Sequence, residues 1–234
     1  MTLESKINIA FIPARSGSKR LPGKNIKLFA GQPLINFSIA FAQYHSIEKI
    51  VVSTDSDEIA EIAYKKGAEV LLRPLEISGD NASTSDAAKH CIDHYSNKGI
   101  SFNSFITLQP TNPLRPQNLL KDGYKSFNEK ECDSVISVNL NKHKIGKINN
   151  GFYKTESYKT ETRSQDLEPL FFENGLIYIT RPENVIAGDL FGKKIHTVET
   201  EELFGITDID TLLDFEVCEF LYKKYFNLFK YLEI

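Results

Sequence analysis

The sequence predicts an α/β fold in which a mostly parallel sheet is flanked by helices. Three observations support this prediction. Short apolar runs at residues 9–12, 50–52, 69–72 and 102–108 have the length of buried strands. Segments with helical spacing of apolar residues separate them, as in βαβ units. Each run also leads into a polar or small-residue loop, and parallel sheets bind ligands at such strand ends.

The first three helices have recognisable start signals. Pro33 is tolerated in a first helical turn, and it precedes apolar or small residues at helical spacing, namely Leu34, Ile35, Ser38, Ile39 and Ala42. Residues 53–57 carry the Ser, Thr and Asp side chains typical of an N-cap before the second helix. Ser83 and Asp86 have the spacing of a capping box, which predicts the third helix.

Two further strands and a last helix are predicted in the second half of the chain. The strands are expected at residues 134–139 and 176–179. The last helix is predicted to begin near Thr207. Its buried stripe is predicted to consist of Ile209, Leu212, Leu213, Val217, Phe220 and Leu221.

Residues 142–165 interrupt the alternation of strands and helices. This segment is polar, and the turn Asn149-Asn150-Gly151 with apolar flanks predicts a protruding β-hairpin. An isolated hairpin is only marginally stable in water, so it needs a surface to pack on. We expect that surface to be a second copy of the chain, which would make the protein a homodimer.

Length and composition indicate one domain over residues 1–234, because 234 residues are too few for two full enzyme domains. The net charge of −3 argues against a general nucleic-acid or membrane-surface binder. Cys91, Cys132 and Cys218 are widely spaced and match no disulfide or zinc pattern. With no secretory leader, we expect a cytoplasmic protein.

A basic loop follows the first strand and predicts a triphosphate site. Its small residues let the backbone approach phosphate oxygens, and its cations supply charge; they are Ser16, Gly17, Ser18, Gly23, Arg15, Lys19, Arg20 and Lys24. The loop is not a Walker motif, because Gly17 and Gly23 enclose five residues and Asn25 follows Lys24. A solvated basic loop is the alternative interpretation.

Asp208 and Asp210 are the candidate metal ligands. Mg²⁺ is commonly shared between a few carboxylates and substrate phosphates, and the basic loop predicts phosphates nearby. The alternative is that these acidic residues belong to a helix start, since Thr207 and Asp210 nearly form a capping box.

Polar side chains at two other strand ends are candidates for recognising a ligand. Gln109 follows the fourth strand, where its amide suits a polyhydroxylated ligand, although a solvent-facing turn explains it equally well. Arg73, with Ser83 and Thr84, suits the polar edge of a base. Arg163 could bind a carboxylate through two hydrogen bonds. The histidines form no nucleophilic constellation, which argues against covalent catalysis.

Six segments in this order resemble the CMP-sialic acid synthetase (N-acylneuraminate cytidylyltransferase) family, which includes CMP-legionaminate and CMP-pseudaminate synthetases. They are residues 12–25, Ser53-Thr54-Asp55, Arg73-Pro74, residues 108–115, residues 174–178 and Asp208-Ile209-Asp210. The resemblance implies a Rossmann-like nucleotidyltransferase that uses Mg²⁺. It would transfer CMP from CTP to a nonulosonic acid, a nine-carbon 2-keto sugar acid, and release pyrophosphate. It also implies a dimer whose protruding segment reaches the partner's site.

The resemblance also implies a role for individual residues. The nucleotide-binding residues would be Ala14, Arg15, Ser16, Ser18, Lys24, Asn25, Arg73 and Thr84. The sugar-binding residues would be Gln109, Arg163, Tyr178 and Lys147, with Lys144 as an alternative to the last. Asp208 and Asp210 would hold the metal, and the catalytic residues would be Lys24, Arg15 and Asp210.

Three departures from the family pattern leave the sugar undecided. Ser16 and Arg20 stand where many members have glycine, and Asn112 replaces a common serine. A cytidylyltransferase for the eight-carbon acid Kdo or for 8-amino-Kdo is the first alternative. Kdo synthetases usually carry Lys-Pro where this chain has Lys24-Asn25, which argues against it. The second alternative is a nucleotide-binding module without catalytic activity.

Overall fold

A seven-stranded sheet organises the computed structural model, which describes residues 6–79 and 82–232. The strands in chain order are β1 (Ile7–Pro13), β2 (Leu28–Phe29), β3 (Gln32–Pro33), β4 (Lys49–Thr54), β5 (Glu69–Leu72), β6 (Phe102–Thr107), β7 (Ser134–Asn141), β8 (Gly146–Asn149), β9 (Phe152–Thr155), β10 (Leu170–Thr180) and β11 (Ile195–Glu199). The helices are α1 (Ile35–Tyr44), α2 (Asp57–Lys65), α3 (Thr84–Ser96), α4 (Leu119–Glu129), α5 (Pro182–Ile186), α6 (Glu202–Gly205) and α7 (Leu212–Lys224).

The sheet is mostly parallel, as predicted. Its strand order is β11-β7-β10-β6-β1-β4-β5, while β2-β3 and β8-β9 form two separate antiparallel pairs. Strand β1 pairs in parallel with β4 and β6, and β4 pairs in parallel with β5. Among the residues described, β10 is the one strand of this sheet that runs antiparallel, and it lies between β6 and β7. The loops that leave β1, β4, β5 and β6 therefore emerge at one edge.

Apolar side chains pack on both faces of the sheet, which explains why β1 reads as a continuous apolar run. Ala10 and Ile12 belong to one buried cluster, and Ile9 and Phe11 belong to the cluster on the opposite face. The ring of Phe11 lies 5.2 Å from that of Phe105, centroid to centroid. Burying each large apolar side chain contributes about 1.5–3 kcal/mol, so both clusters hold β1 in place.

The predicted start signals of the second and third helices are confirmed. Ser56 caps α2 by accepting a hydrogen bond from the Ile59 backbone N–H. Ser83 and Asp86 form the predicted capping box of α3, which orients the first turn of that helix. Pro33 differs slightly from its prediction, since it lies in β3 and just ahead of α1.

The prediction for the last helix is wrong in its start and in most of its buried stripe, although Leu221 is buried as predicted and so is Ile209, which lies ahead of the helix. Helix α7 begins at Leu212, where Thr211 and Asp214 form the capping box. Leu213 and Phe220 are 68% and 60% exposed, whereas the buried side chains of this helix are those of Phe215, Cys218 and Leu221. The helix carries apolar residues on several of its faces, so their periodicity alone could not select the face that is buried. That face packs against Phe29, whose ring centroid lies 5.5 Å from that of Phe215.

The predicted hairpin is confirmed as β8 and β9. Asn150 and Gly151 both have positive φ, at 49° and 83°, as two-residue hairpin turns require. Ile148 and Phe152 are 73% and 79% exposed on this hairpin. The segment of residues 142–165, here called the excursion, therefore presents apolar side chains that its own chain leaves uncovered.

Within the described ranges, the longest and most apolar helices still fall short of what a bilayer crossing demands. Cys91, Cys132 and Cys218 are free and buried.

Candidate active site

A cavity of about 700 Å³ opens at the edge of the sheet where the parallel strands end. It is lined by Pro13, Arg15, Ser18, Lys19, Arg20, Leu21, Lys24, Asn25, Arg73, Ala82, Ser83, Thr84, Gln109, Pro110, Thr111, Asp208 and Asp210. Most of the residues predicted to bind nucleotide or metal therefore share one cavity, together with one predicted sugar-binding residue, Gln109. Polar and charged side chains dominate this lining, as a ligand with several phosphates requires.

The basic loop is folded back on itself at the end of β1. The Asn25 side chain donates a hydrogen bond to the Arg15 carbonyl at 2.9 Å, which joins the two ends of the loop. Gly23 adopts left-handed backbone angles, with φ of 66°, and starts the short 3-10 helix Lys24–Ile26. Because the Asn25 side chain closes the loop onto the Arg15 backbone, the backbone that carries the loop cations is held in place.

Lys24 connects this loop to the predicted metal ligands across the cavity. Its Nζ donates to the Ile209 carbonyl at 2.7 Å and to Asp210 Oδ1 at 3.2 Å. Arg20 approaches the other oxygen of the same carboxylate, with 2.8 Å between its guanidinium nitrogen and Asp210 Oδ2. The basic loop and the aspartate pair therefore face each other across one cleft.

Asp208 is held by neutral donors. The Asn112 side chain donates to Asp208 Oδ1 at 3.3 Å, and the Thr111 side chain also hydrogen-bonds to this carboxylate. Burial raises the pKa of Asp208, and the neighbouring Asp210 charge adds to this shift, although Thr111 and Lys24 oppose it. The alternative interpretation of this segment as a helix start is wrong, because Thr207 donates to the Phe204 carbonyl and α7 begins later.

The aspartate pair suits a magnesium ion that takes its other ligands from phosphate oxygens and water. Among residues 6–79 and 82–232 there is no cluster of three or more histidine, cysteine, aspartate or glutamate side chains that would form an all-protein metal cage. Mg²⁺ usually needs only one or two carboxylates in phosphate-binding sites. Burial, with a contribution from the Asp210 charge, raises the pKa of Asp208, and a divalent cation beside the carboxylate would oppose both effects.

The opposite wall combines a fixed arginine with a helix N-terminus. Arg73 donates to the Ser53 hydroxyl at 2.8 Å and to the Ser53 carbonyl at 2.9 Å. Burial lowers the pKa of Arg73 to about 10, and the nearby Arg15 charge lowers it further, while Asp55 opposes the shift. Thr84, the first residue of α3, lines the cavity beside it, where the helix dipole adds partial positive charge.

Two predicted nucleotide-binding residues, Ala14 and Ser16, are absent from the cavity lining. The Ala14 backbone N–H donates to the Ser53 carbonyl at 2.9 Å. Ser16 donates from its backbone and its hydroxyl to Asp55, at 2.7 and 2.8 Å. Burial by itself would raise the pKa of Asp55, but these hydrogen bonds from Ser16 outweigh it, and the pKa is lowered. Both residues anchor the basic loop to the end of β4.

The turn that follows β6 is held from beneath by a buried arginine. Arg115 is fully buried and donates to the carbonyls of Gln109 and Leu176, at 2.8 and 2.7 Å, and to the Ser38 hydroxyl at 3.1 Å. Burial lowers the pKa of Arg115 to about 9. Because its hydrogen bonds fix the Gln109 backbone, the Gln109 side chain lines the cavity and does not project from a solvent-facing turn.

Gly175 allows β10 to approach this turn closely. Its φ is +74°, and a Cβ at this position would lie 2.8 Å from Asn112 Nδ2. Asn112 is itself fully buried. A glycine is therefore required here both for its backbone conformation and for the space that Asn112 occupies.

The other three predicted sugar-binding residues are absent from the cavity lining of their own chain. Tyr178 is buried on β10, with its ring 5.6 Å from that of Phe191. Burial raises the pKa of Tyr178 to about 12, and the charges of Glu173 and Asp208 contribute. The exposed cations of the excursion form local ion pairs, Lys147 with Glu156 at 2.9 Å and Arg163 with Asp166 at 2.6 Å.

Several residues at the site were missed as individual functional candidates. Asn112 was noted as a departure from the family pattern, but its contact with Asp208 has no local sequence signal. Arg115 directly follows a turn with two prolines, yet nothing in that pattern predicts its burial. Arg20 was counted among the loop cations, and its pairing with Asp210 spans most of the chain.

Comparison with known proteins identifies cytidylyltransferases as similar in sequence over most of the chain. A family model described as cytidylyltransferase matches residues 9–231. A pseudaminic acid cytidylyltransferase of Campylobacter jejuni is 32% identical over 92% of this chain and 96% of that protein. A CMP-N,N'-diacetyllegionaminic acid synthase of Legionella pneumophila is 34% identical over 90% and 94%. An N-acylneuraminate cytidylyltransferase of Streptococcus agalactiae is 32% identical over 88% of this chain but 51% of that protein.

Two solved structures share the fold. A CMP:2-keto-3-deoxy-manno-octonic acid synthetase complexed with CTP has a TM-score of 0.71 and 17% identity, covering 94% of this chain and 99% of that chain. A 4-diphosphocytidyl-2C-methyl-D-erythritol synthase from Anaerococcus prevotii has a TM-score of 0.64 and 14% identity, covering 93% and 96%. This similarity confirms the predicted α/β fold, a mostly parallel sheet flanked by helices.

Proposed function

This chain belongs to the cytidylyltransferase family, and from that membership and the cavity geometry we propose that it transfers CMP from CTP to a nonulosonic acid and releases pyrophosphate. One observation carries the proposal: the basic loop and the aspartate pair line the same cavity and meet at Lys24 and Asp210. Relatives named for pseudaminic, N-acylneuraminic and legionaminic acids, at 32–34% identity, support this substrate class.

The nucleotide would lie along the basic loop with its base toward α3. Arg15, Ser18 and Asn25 line the cavity where the phosphates would bind, and Arg73 and Thr84 line the side proposed for cytosine. Lys24 would stabilise the negative charge that develops on the α-phosphate and on the leaving pyrophosphate. The two acceptors that hold Lys24 support this assignment, because a preorganised cation needs no rearrangement during the reaction.

Asp208 and Asp210 would hold Mg²⁺, which supplies charge neutralisation and orients phosphate oxygens. In the reaction, the anomeric oxygen of the sugar forms a bond to the α-phosphorus. The bond from that phosphorus to the bridging oxygen of the β-phosphate breaks, and its electron pair leaves with pyrophosphate. Asp210 is our candidate acceptor for the hydroxyl proton. Gln109, which lines the cavity, is the first candidate contact of the sugar; Tyr178 lies outside that lining and is proposed as a second contact because the Asp208 charge acts on it.

The experiment is a substrate panel. The protein is incubated with CTP, Mg²⁺ and one acid at a time: pseudaminate, legionaminate, N-acetylneuraminate, Kdo or 8-amino-Kdo. Pyrophosphate release is measured, and the CMP-sugar is identified by mass spectrometry. We expect turnover with at least one nonulosonic acid. Background release with all three nonulosonic acids would contradict the proposal.

The same panel addresses the two alternatives. The similarity to the octonic acid synthetase, with a TM-score of 0.71, is a reason to include Kdo, although 17% identity supports the fold alone. Turnover confined to Kdo or 8-amino-Kdo would replace the proposed substrate class. A catalytically inactive nucleotide-binding module would show a higher melting temperature with CTP while CTP remained unconsumed.

We also propose that the protein is a homodimer joined through the excursion at residues 142–165. Ile148 and Phe152 expose apolar surface on the hairpin, and Phe171 and Phe172 do so on adjoining β10. An apolar surface of this kind is typical of an interface. Lys147 and Arg163 would then reach the cavity of the partner. Light scattering should give twice the monomer mass, and a monomer at micromolar concentration would contradict the proposal.

A cytoplasmic location is proposed from the cysteines. Cys91, Cys132 and Cys218 are free and buried, as is usual where thiols stay reduced. Cell fractionation tests this location, and recovery with secreted proteins would contradict it.

A further inference from the structure

Asp210 is bound by two cations from the basic loop, and the two differ in how they are held. Lys24 is largely buried and also donates to the Ile209 carbonyl at 2.7 Å, so its position is fixed by two acceptors. Arg20 is 68% exposed, and its guanidinium lies 2.8 Å from Asp210 Oδ2. An exposed ion pair of this kind contributes little to stability, so replacing it with another contact costs little free energy.

This pairing occupies one of the two carboxylates proposed for the metal. Asp208 is held by the neutral side chains of Asn112 and Thr111, whereas both oxygens of Asp210 face positive charge. A divalent cation that approached Asp210 Oδ2 would repel the guanidinium from a distance of a few ångström. Metal binding and the Arg20 pair therefore compete for the same oxygen.

Arg20 would gain a second acceptor in the same cavity once a triphosphate is bound. It lines the cavity on the basic loop, beside the positions proposed for the triphosphate. A guanidinium binds phosphate through two parallel hydrogen bonds, and its long side chain can reorient at the surface. Arg20 is thus placed to exchange a carboxylate for a phosphate.

We propose that Arg20 is an exchangeable counter-ion that neutralises Asp210 in the free enzyme, releases that carboxylate to the divalent cation and passes to the triphosphate of CTP. The inference rests on the proposed function, since it takes CTP as the nucleotide and Asp210 as a metal ligand. It assigns Arg20 two opposite effects: it weakens metal binding to the free protein and strengthens nucleotide binding.

The test measures both effects in Arg20→Gln. Mn²⁺ binding to the nucleotide-free protein is followed by the electron paramagnetic resonance signal of unbound Mn²⁺. We expect the variant to bind Mn²⁺ about two- to fivefold more tightly, as loss of an exposed competing ion pair implies. CTP binding in the presence of EDTA is followed by calorimetry, and we expect it to weaken roughly tenfold. Arg20→Lys should restore much of both properties.

Lys19→Gln is the matched control, because Lys19 lines the same cavity from the same loop and carries the same charge. If Arg20 acted only through the general field of the loop, both variants would change Mn²⁺ binding equally. We expect a smaller Mn²⁺ effect in Lys19→Gln. Adding Asp210→Asn to Arg20→Gln should remove the gain in Mn²⁺ affinity, since the contested oxygen is lost.

Three outcomes would overturn the inference: no change in Mn²⁺ binding in Arg20→Gln, equal changes in the two loop variants, or a gain that persists with Asp210→Asn. Absence of measurable Mn²⁺ binding in both the parent protein and Arg20→Gln counts as no change. These results are separate from the proposed function. A failed substrate panel would overturn the transferase assignment while the Mn²⁺ measurements on free protein stood.

Discussion

The cavity edge and the excursion at residues 142–165 differ in how their charged residues find partners. At the cavity edge, Lys24 contacts the Ile209 carbonyl across 185 residues of sequence. In the excursion, Arg163 pairs with Asp166 only three residues away, and Lys147 pairs with Glu156 across the hairpin. The parallel sheet thus brings distant residues together at the cavity. The hairpin pairs Lys147 close to its own strands and leaves apolar side chains for another surface, although Lys142 at the start of the excursion reaches the distant Glu202.

The largest expected effect is on catalysis at the cavity edge. Lys24→Ala removes a fixed cation beside the reacting phosphate, and we expect kcat to fall about 10²–10³-fold.

Arg163→Ala should leave kcat nearly unchanged and raise the KM for the sugar acid, because an exposed arginine would contact only the sugar. Steady-state pyrophosphate release measures both. Lys223→Ala on α7 is the control, because Lys223 pairs with Glu219 and does not line the cavity, and similar losses in Lys24→Ala and Lys223→Ala would refute the role of Lys24.

The next effect is on stability beneath the cavity edge. Arg115→Met leaves the Leu176 carbonyl without this donor, so we expect the free energy of unfolding to fall by about 2–4 kcal/mol. Arg181→Met is matched, since Arg181 also donates to two carbonyls and stacks on Phe127, away from the cavity. Urea denaturation should show losses in both variants. Only Arg115→Met should also raise the KM for substrates, and equal KM changes would count against a link to Gln109.

A smaller effect is expected at the hairpin. Phe152→Ser should shift the protein toward monomer and change the stability of the single chain by less than about 0.5 kcal/mol, because the side chain is mostly exposed. Lys154→Ser lies on the same face of β9 and removes a charged side chain in place of an aromatic one, so this variant should keep the mass of a dimer. Light scattering across a dilution series measures the shift, and an unchanged mass in Phe152→Ser would argue against this interface.

The smallest effect is a pH dependence at Asp208. Its pKa is raised by burial, so the native state holds a proton more tightly than the unfolded chain does. The free energy of unfolding should therefore fall as pH rises from the ordinary value of 3.8 through the raised pKa. Asp208→Asn removes this dependence, and thermal unfolding should show a higher melting temperature at pH 7 with no gain at pH 3.

Asp133 gives the opposite sign and serves as the comparison. Hydrogen bonds from the Lys194 and Lys193 backbone N–H groups lower the pKa of Asp133. Its contribution to stability is present above its ordinary pKa and is lost as pH falls through the lowered value. Asp133→Asn should therefore lower the melting temperature at pH 7, and a gain there would contradict the assignment.

Much of the fold could be predicted because its signals are local. The capping box of Ser83 and Asp86, the turn at Asn150-Gly151 and the buried strand β1 each depend on neighbouring residues. The site could be predicted in part for the same reason, since the loop cations directly follow β1. The buried face of α7 could not, because several faces of that helix are apolar and only packing against Phe29 selects one.

Other parts of the site depend on distant contacts. Ser16 is a residue type expected in a phosphate-binding loop, yet its backbone N–H and its hydroxyl both donate to Asp55. Asn112 reads as part of an ordinary turn, yet it reaches Asp208, 96 residues later. The local sequence pattern shows which polar side chains are present, but it does not show which distant groups they will hydrogen-bond.

By itself the sequence determined most strands of the sheet, the first three helices, the basic loop and the family of the chain, because these depend on residue spacing along the backbone. The tertiary structure alone decided that Lys24 meets Asp210, that Asn112 holds Asp208 and that Lys147 and Arg163 lie outside their own cavity. These contacts depend on strand order and register. A parallel sheet sets them by joining residues far apart in the chain, and no local preference encodes them.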